Sequence, residues 1–236
     1  MPDFSSLESQ FVSQLRLERR PVAVAFLEEP PAGVEKFSGS VPSGCSFWRV
    51  ASEGKIFYTV PSDHYNCPVG SHTHNIPLPE ERQPELGGVL NLMGEIGYLR
   101  MEEIPGIPVL PKSPKFVLYA PLGSTPVAPD AVLFSGTPGS LMLLVEAATR
   151  AGVFGQFPLL GRPTCMSIPA AMGHGVVASS GCIGNRVYTD IGENELYVTA
   201  PGSSLEQLAE ALNTIASANE KLEQYHRGRR AQLATL

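Results

Sequence analysis

Apolar residues at Phe4, Leu7, Phe11 and Leu15 recur at helical spacing, predicting an amphipathic N-terminal helix that ends near Arg19 and Arg20, before the breaker Pro21. Val22 to Leu27 is a continuous apolar run with the length of a buried strand. A Pro, Gly and Ser-rich connection follows, from Glu28 to Ser43. Cys45 to Glu53 reads as a short helix stopped by Gly54, and Ile56 to Val60 has the β-branched and aromatic character of a strand. Leu78 to Tyr98 predicts a helix in two pieces, with Leu86, Val89, Leu90, Met93 and Ile96 on one face. Prolines at 105, 108, 111, 114 and 121 impose an extended crossing. Strands are expected at Lys115 to Ala120 and Ala131 to Phe134, then a helix from Leu141 to Ala151 closed by Gly152. A short helix around Ile168 to Met172 and strands at Val176 to Ser179 and Glu195 to Thr199 complete the sheet. Ser203 to Gln207 carries capping-box residues for a long terminal helix, whose stripe is Leu205, Leu208, Leu212, Ile215, Ala216, Leu222 and Tyr225. Helices and strands alternate, but the proline-rich connections depart from a regular doubly wound sheet. The predicted fold class is therefore α/β or α+β: a mixed sheet with flanking helices and a long C-terminal helix.

The chain of 236 residues is 43% hydrophobic, enough to bury one substantial core, so a single domain over residues 1–236 is expected. A net charge of −6 points away from nucleic acid, which selects clustered positive charge. The one basic cluster, His226 to Arg230, lies near the end of the terminal helix, where cations complement the helix dipole. Residues 1–20 lack the apolar run of a signal peptide, and Leu141 to Val145 is too short to span a bilayer, so the expectation is a cytoplasmic protein without a membrane partner. Reducing conditions there disfavour structural disulfides and direct the four cysteines towards metal, catalysis or packing.

Two stretches share one grammar. Cys45 is followed by Ala51, Gly54, a strand and Cys67-Pro68-Val69-Gly70, and Cys165 by Ala171, Gly173, a strand and Cys182-Ile183-Gly184. The paired cysteines stand 22 and 17 residues apart, so the register is imperfect. The pattern predicts an internal pseudo-twofold duplication, with halves at about 21–100 and 115–200. Equivalent positions near such an axis meet, which would bring Cys45, Cys67, Cys165 and Cys182 to one metal or iron–sulfur site. Four thiolates at one point repel unless a cation neutralises them. Cys45 and Cys165 are expected at helix N-termini, where the dipole lowers a thiol pKa, although Pro169 allows the second helix to start only at Ser167. The absence of any C-x-x-C pair argues against zinc ribbons and fingers. His64, His72 and His74 surround Cys67 and offer a competing Cys/His zinc site.

Gly136-Thr137-Pro138-Gly139-Ser140 joins a strand to a helix through a turn whose N–H groups could hold an anion, although Thr137 as N-cap with Pro138 at N1 explains it without a ligand. Asn185 and Arg186 follow Gly184 as the best candidate anion contacts beside the thiols, with Arg49 and Arg162 near Cys45 and Cys165. Two main readings stay open. One is a redox or cluster-dependent protein that serves a small molecule or redox partner. The other is a metal-free module for a small anionic ligand, with structural or redox-responsive thiols.

The phrases Pro21-Val22-Ala23-Val24, Ser43-Gly44-Cys45-Ser46-Phe47-Trp48, Asp63-His64-Tyr65-Asn66-Cys67-Pro68-Val69-Gly70, Gly161-Arg162-Pro163-Thr164-Cys165 and Gly181-Cys182-Ile183-Gly184-Asn185-Arg186-Val187-Tyr188 resemble the domain of unknown function 169 family, an archaeal conserved region that also occurs in bacteria. The resemblance spans nearly the whole chain. It implies one compact domain and an uncharacterised activity, and it carries over no catalytic residues.

Overall fold

Helix α1 (Phe4–Leu15) packs Phe4, Phe11 and Leu15 inwards and ends at Arg16 in the left-handed conformation, a turn earlier than the sequence suggests. The structure, a computed structural model, describes residues 2–155 and 159–233. Six strands follow in chain order: β1 (Val22–Leu27), β2 (Phe57–Thr59), β3 (Phe116–Pro121), β4 (Ala131–Gly136), β5 (Val177–Ser179) and β6 (Leu196–Pro201). They form one sheet of order β2-β3-β1-β4-β6-β5. Every pairing between these strands is antiparallel, and parallel pairing is confined to isolated bridges such as Lys36 with Tyr58. The architecture is therefore α+β.

The strand order reads the same from either edge when β1, β2 and β3 are exchanged for β4, β5 and β6. Register follows the same exchange. At the centre Val22 pairs with Leu133, Ala23 with Val132 and Val24 with Ala131. To either side, Val22 pairs with Pro121 and Ala131 with Pro201. At the edges, Phe57 pairs with Tyr119 and Val177 with Thr199. Pro121 and Pro201 each run into a 3₁₀ turn, at Leu122–Ser124 and Gly202–Ser204.

Alternation along the strands divides the core into two layers. Ala23, Val132, Phe134, Val198 and Ala200 face a layer built with α1, α5 (Pro138–Ala151) and α8 (Leu205–Leu233). Val22, Val24, Tyr119, Ala131, Leu133 and Tyr197 face the opposite layer, which contains Cys45, Phe47, Trp48, Cys165 and Ile168. That second layer carries α2 (Gly44–Ser52), α3 (Pro68–Thr73), α4 (Gln83–Glu95), α6 (Ser167–His174) and α7 (Ile183–Thr189).

The terminal helix is amphipathic only where α5 lies beside it. Leu205, Leu208 and Leu212 are buried, Asn219 reaches Glu146 of α5 at 2.6 Å, and Leu222 and Tyr225 beyond it are exposed. Among the described residues, no helix is long and apolar enough to cross a membrane. The proline-rich stretch expected to be extended from Pro105 opens inside a 3₁₀ helix, Met101–Gly106.

Phe134, wholly buried and edge-on to Phe11 at 5.0 Å, sits at the centre of the first layer. Phe134→Ala should cost about 3–5 kcal/mol in urea unfolding. Leu222→Ala on the projecting helix should stay within about 0.5 kcal/mol.

Candidate functional site

All four cysteines line one cavity of about 420 Å³ on the second face of the sheet. Each is delivered by the beginning of a helix. Cys45 is the second residue of α2, whose inner face of Gly44, Cys45, Phe47, Trp48 and Ala51 is buried. Cys67 stands at the N-cap of α3, before Pro68, and Cys182 at the N-cap of α7. Cys165 lies in a 3₁₀ turn (Thr164–Met166), and α6 begins only at Ser167. Helix α7 is not predicted from the sequence.

Local chemistry ties these turns together. The Cys182 N–H donates to Thr164 Oγ1 at 2.5 Å, linking the third and fourth cysteine segments. The Cys67 N–H donates to the His64 carbonyl at 3.0 Å. A Cβ on Gly70 would stand 2.9 Å from Cys67 Sγ, so the thiol occupies space that only glycine leaves free. Gly181 has φ +78° and would meet Asn185 Oδ1 at 2.9 Å, which reserves that position for glycine on both counts.

Burial pushes the Cys45 thiol well up, and the charges of Cys165, Cys67 and Cys182 add to the rise against a hydrogen bond from Asn185. Cys165 is raised by burial, then by Cys67, against a Thr73 hydrogen bond, with Cys182 adding to the rise. Cys67 is raised by burial, opposed by bonds from the Gly44 and Gly70 backbone, with Cys182 again adding. Desolvation thus outweighs the helix dipole, which reverses the low thiol pKa expected at helix N-termini. These cysteines are free. Among the described residues, no group of three or more His, Cys, Asp or Glu side chains is placed to hold a metal ion.

Beneath the thiols lies Tyr119, fully buried, whose hydroxyl has no hydrogen-bond partner among the described residues. Burial, then the charges of Cys45, Cys165 and Cys67, raise its pKa well above the usual phenol value. Phe47 and Phe57 stack on its ring at 5.3 and 5.6 Å. Tyr119 was read only as part of a strand; its facing was available from strand alternation, its orphaned hydroxyl was not.

The histidines separate. The segment from Pro68 is helical rather than extended, so His72 and His74 do not point the same way: His72 is exposed at the cavity, whereas His74 is 1% exposed and edge-on to Phe26. His64 is buried beside Thr59 Oγ1 at 2.8 Å, its ring 6.0 Å from that of His74. Of the three imidazoles, only His72 shares the cavity with Cys67.

The candidate anion contacts also divide. Asn185 lines the cavity, 2% exposed, with its amide nitrogen 3.5 Å from the Tyr197 hydroxyl. The Arg186 guanidinium donates to the carbonyls of Gly192, Ser180 and Glu195 at 3.0, 2.5 and 3.0 Å, so it braces the β5–β6 connection. Arg49 pairs with Glu53 and Asp190, and Arg162 lines the cavity but pairs with Glu103 at 2.9 Å. Gly136, Thr137, Gly139 and Ser140 lie outside the cavity lining. Thr137 caps α5 by accepting the Ser140 N–H, and a Cβ on Gly136 would press on Leu17.

Burial, then the charge of His74, holds His64 down to about 3, and burial holds His74 down to about 4. Unfolded imidazoles take protons near pH 6.5, so the unfolded chain binds more protons in the window between that value and about 4. Stability present at pH 7 should therefore fall as pH drops through this window. Urea unfolding at pH 7.5 and pH 5 should show the loss, and His74→Leu should shrink it. An unchanged difference in that variant would contradict the assignment.

Residues 10–211 match the family described as uncharacterised ArCR, domain of unknown function 169. No curated protein and no solved structure matches the chain.

Proposed function

The chain belongs to the domain of unknown function 169 family, and on that premise we propose that it is a redox or cluster-dependent protein whose Cys45, Cys67, Cys165 and Cys182 hold one iron–sulfur cluster. The observation that carries this reading is that four lone cysteines, Cys45 and Cys67 from one stretch and Cys165 and Cys182 from a distant one, line one largely apolar cavity. The symmetric strand order supports a duplicated origin in which Cys45 and Cys67 correspond to Cys165 and Cys182, so that the two halves bring paired ligands to a shared centre. Free thiols, two of them buried, suit a reducing compartment such as the cytoplasm.

The donor type is that of the group, while among the described residues no three of these side chains are grouped as for a single ion. Thiolate is the ligand of iron–sulfur clusters, and a cluster spreads its ligands wider than the tight tetrahedron of a single zinc ion. A bound cluster would supply electron transfer or an iron Lewis acid. The four cysteines would hold it, and the Tyr119 hydroxyl would donate a hydrogen bond to sulfur, giving this buried group the acceptor that protein atoms do not provide. Asn185 would steady Cys45 from the side.

Anaerobic reconstitution with iron and sulfide should give a brown protein containing iron and acid-labile sulfide, and Cys→Ala at each of the four positions should abolish or sharply reduce both. Colourless wild-type protein without retained iron would overturn the reading. Because burial raises the pKa values of the Cys45, Cys165 and Cys67 thiols, loading must expel their protons and should be less complete at pH 6 than at pH 8.5. Tyr119→Phe should retain iron but lower the cluster's reduction potential, since a hydrogen bond to sulfur favours the more reduced, more negative state.

A further inference from the structure

Helix α4 has no buried residue of its own, yet Leu86, Val89, Leu90 and Met93 repeat at the spacing of a helix packed on a core. These four side chains face the cavity instead, opposite the cysteine turns. At about 420 Å³ the space lies within the range of small-molecule sites, and the α4 side of it is apolar. The nearby charges are already matched. Arg162 pairs with Glu103 at 2.9 Å and lies 4.9 Å over the Tyr98 ring, and Arg82 pairs with Glu85 at 2.8 Å. One buried polar atom on the lining is unmatched: Oδ1 of Asn185 has no partner among the described residues.

We propose that this cavity binds a neutral, mainly apolar organic molecule, its body against α4 and a single hydrogen-bond donor directed to Asn185. The proposal goes beyond the cluster reading and needs no iron to be tested. An anionic ligand would find no uncompensated cation here, since Arg186 is spent on backbone carbonyls and Arg162 on Glu103. A neutral ligand gains the apolar wall and satisfies the Asn185 carbonyl.

The probe is N-phenyl-1-naphthylamine, neutral and apolar with one N–H, titrated by fluorescence into the full chain both iron-free and after anaerobic reconstitution. One saturable site per chain is expected in both forms. Leu90→Glu, or Leu86→Glu if the first variant does not fold by circular dichroism, should weaken binding roughly tenfold or more. Leu92→Glu, on the same helix but 57% exposed, should leave it unchanged. The sulfonated analogue 8-anilinonaphthalene-1-sulfonate should bind roughly tenfold more weakly than the neutral probe. Absence of saturable binding, equal loss in the two α4 positions, equal affinity for the sulfonate, or loss of the site on reconstitution would each overturn the proposal. Failure of the cluster reading would show separately, as wild-type protein that retains no iron while the fluorescence titration stays readable.

Discussion

Placing four thiols on one low-dielectric cavity adds two electrostatic costs of the same sign, and the second face has to accommodate both. Desolvation opposes the thiolates of Cys45, Cys165 and Cys67, and the charges of neighbouring thiolates oppose them again, which raises all three pKa values. Protons can keep the sulfurs neutral, or a cationic group can replace those protons. Helix N-termini aim partial positive charge at the same point, but a partial charge is too small to offset full burial. The fold thus holds the sulfurs in a state that a metal group would relieve.

The sheet makes this convergence possible at modest cost. Its six strands bury both faces, one under α1, α5 and α8 as a mainly apolar layer, the other under the helices that include those beginning near the cysteines. Stability can therefore reside in the first layer, with Phe11, Phe134, Leu144 and Leu208 fully buried, while the second accommodates glycine-dependent turns and unpaired polar atoms. Gly70 and Gly181 belong to that second layer, where close approach to Cys67 Sγ and Asn185 Oδ1 leaves no room for a Cβ.

Much of this was legible in the sequence because local patterns agreed with the fold. The runs at Val22 to Leu27 and Ala131 to Phe134, the Thr137-Pro138 helix start and the Gly152 stop all appear where local propensity places them. Convergence of Cys45, Cys67, Cys165 and Cys182 on one cavity was legible only through their repeated context. What failed depended on neighbours that sequence spacing does not reveal. Helix α7 is seven residues long and too short to show a period. Arg186 is set among the carbonyls of Ser180, Gly192 and Glu195, partners that its sequence spacing does not announce. The face of α4 looked like ordinary core, and the terminal stripe continues past the point where α5 ends, so Leu222 and Tyr225 meet solvent.

Iron X-ray absorption on the anaerobically loaded wild-type chain reads the environment of the metal itself. Four cysteines around a cluster require iron surrounded by sulfur alone, with further iron at the next distance. Iron bound through oxygen or nitrogen, or as isolated ions with no neighbouring iron, would contradict the convergence of these sulfurs on a single cluster.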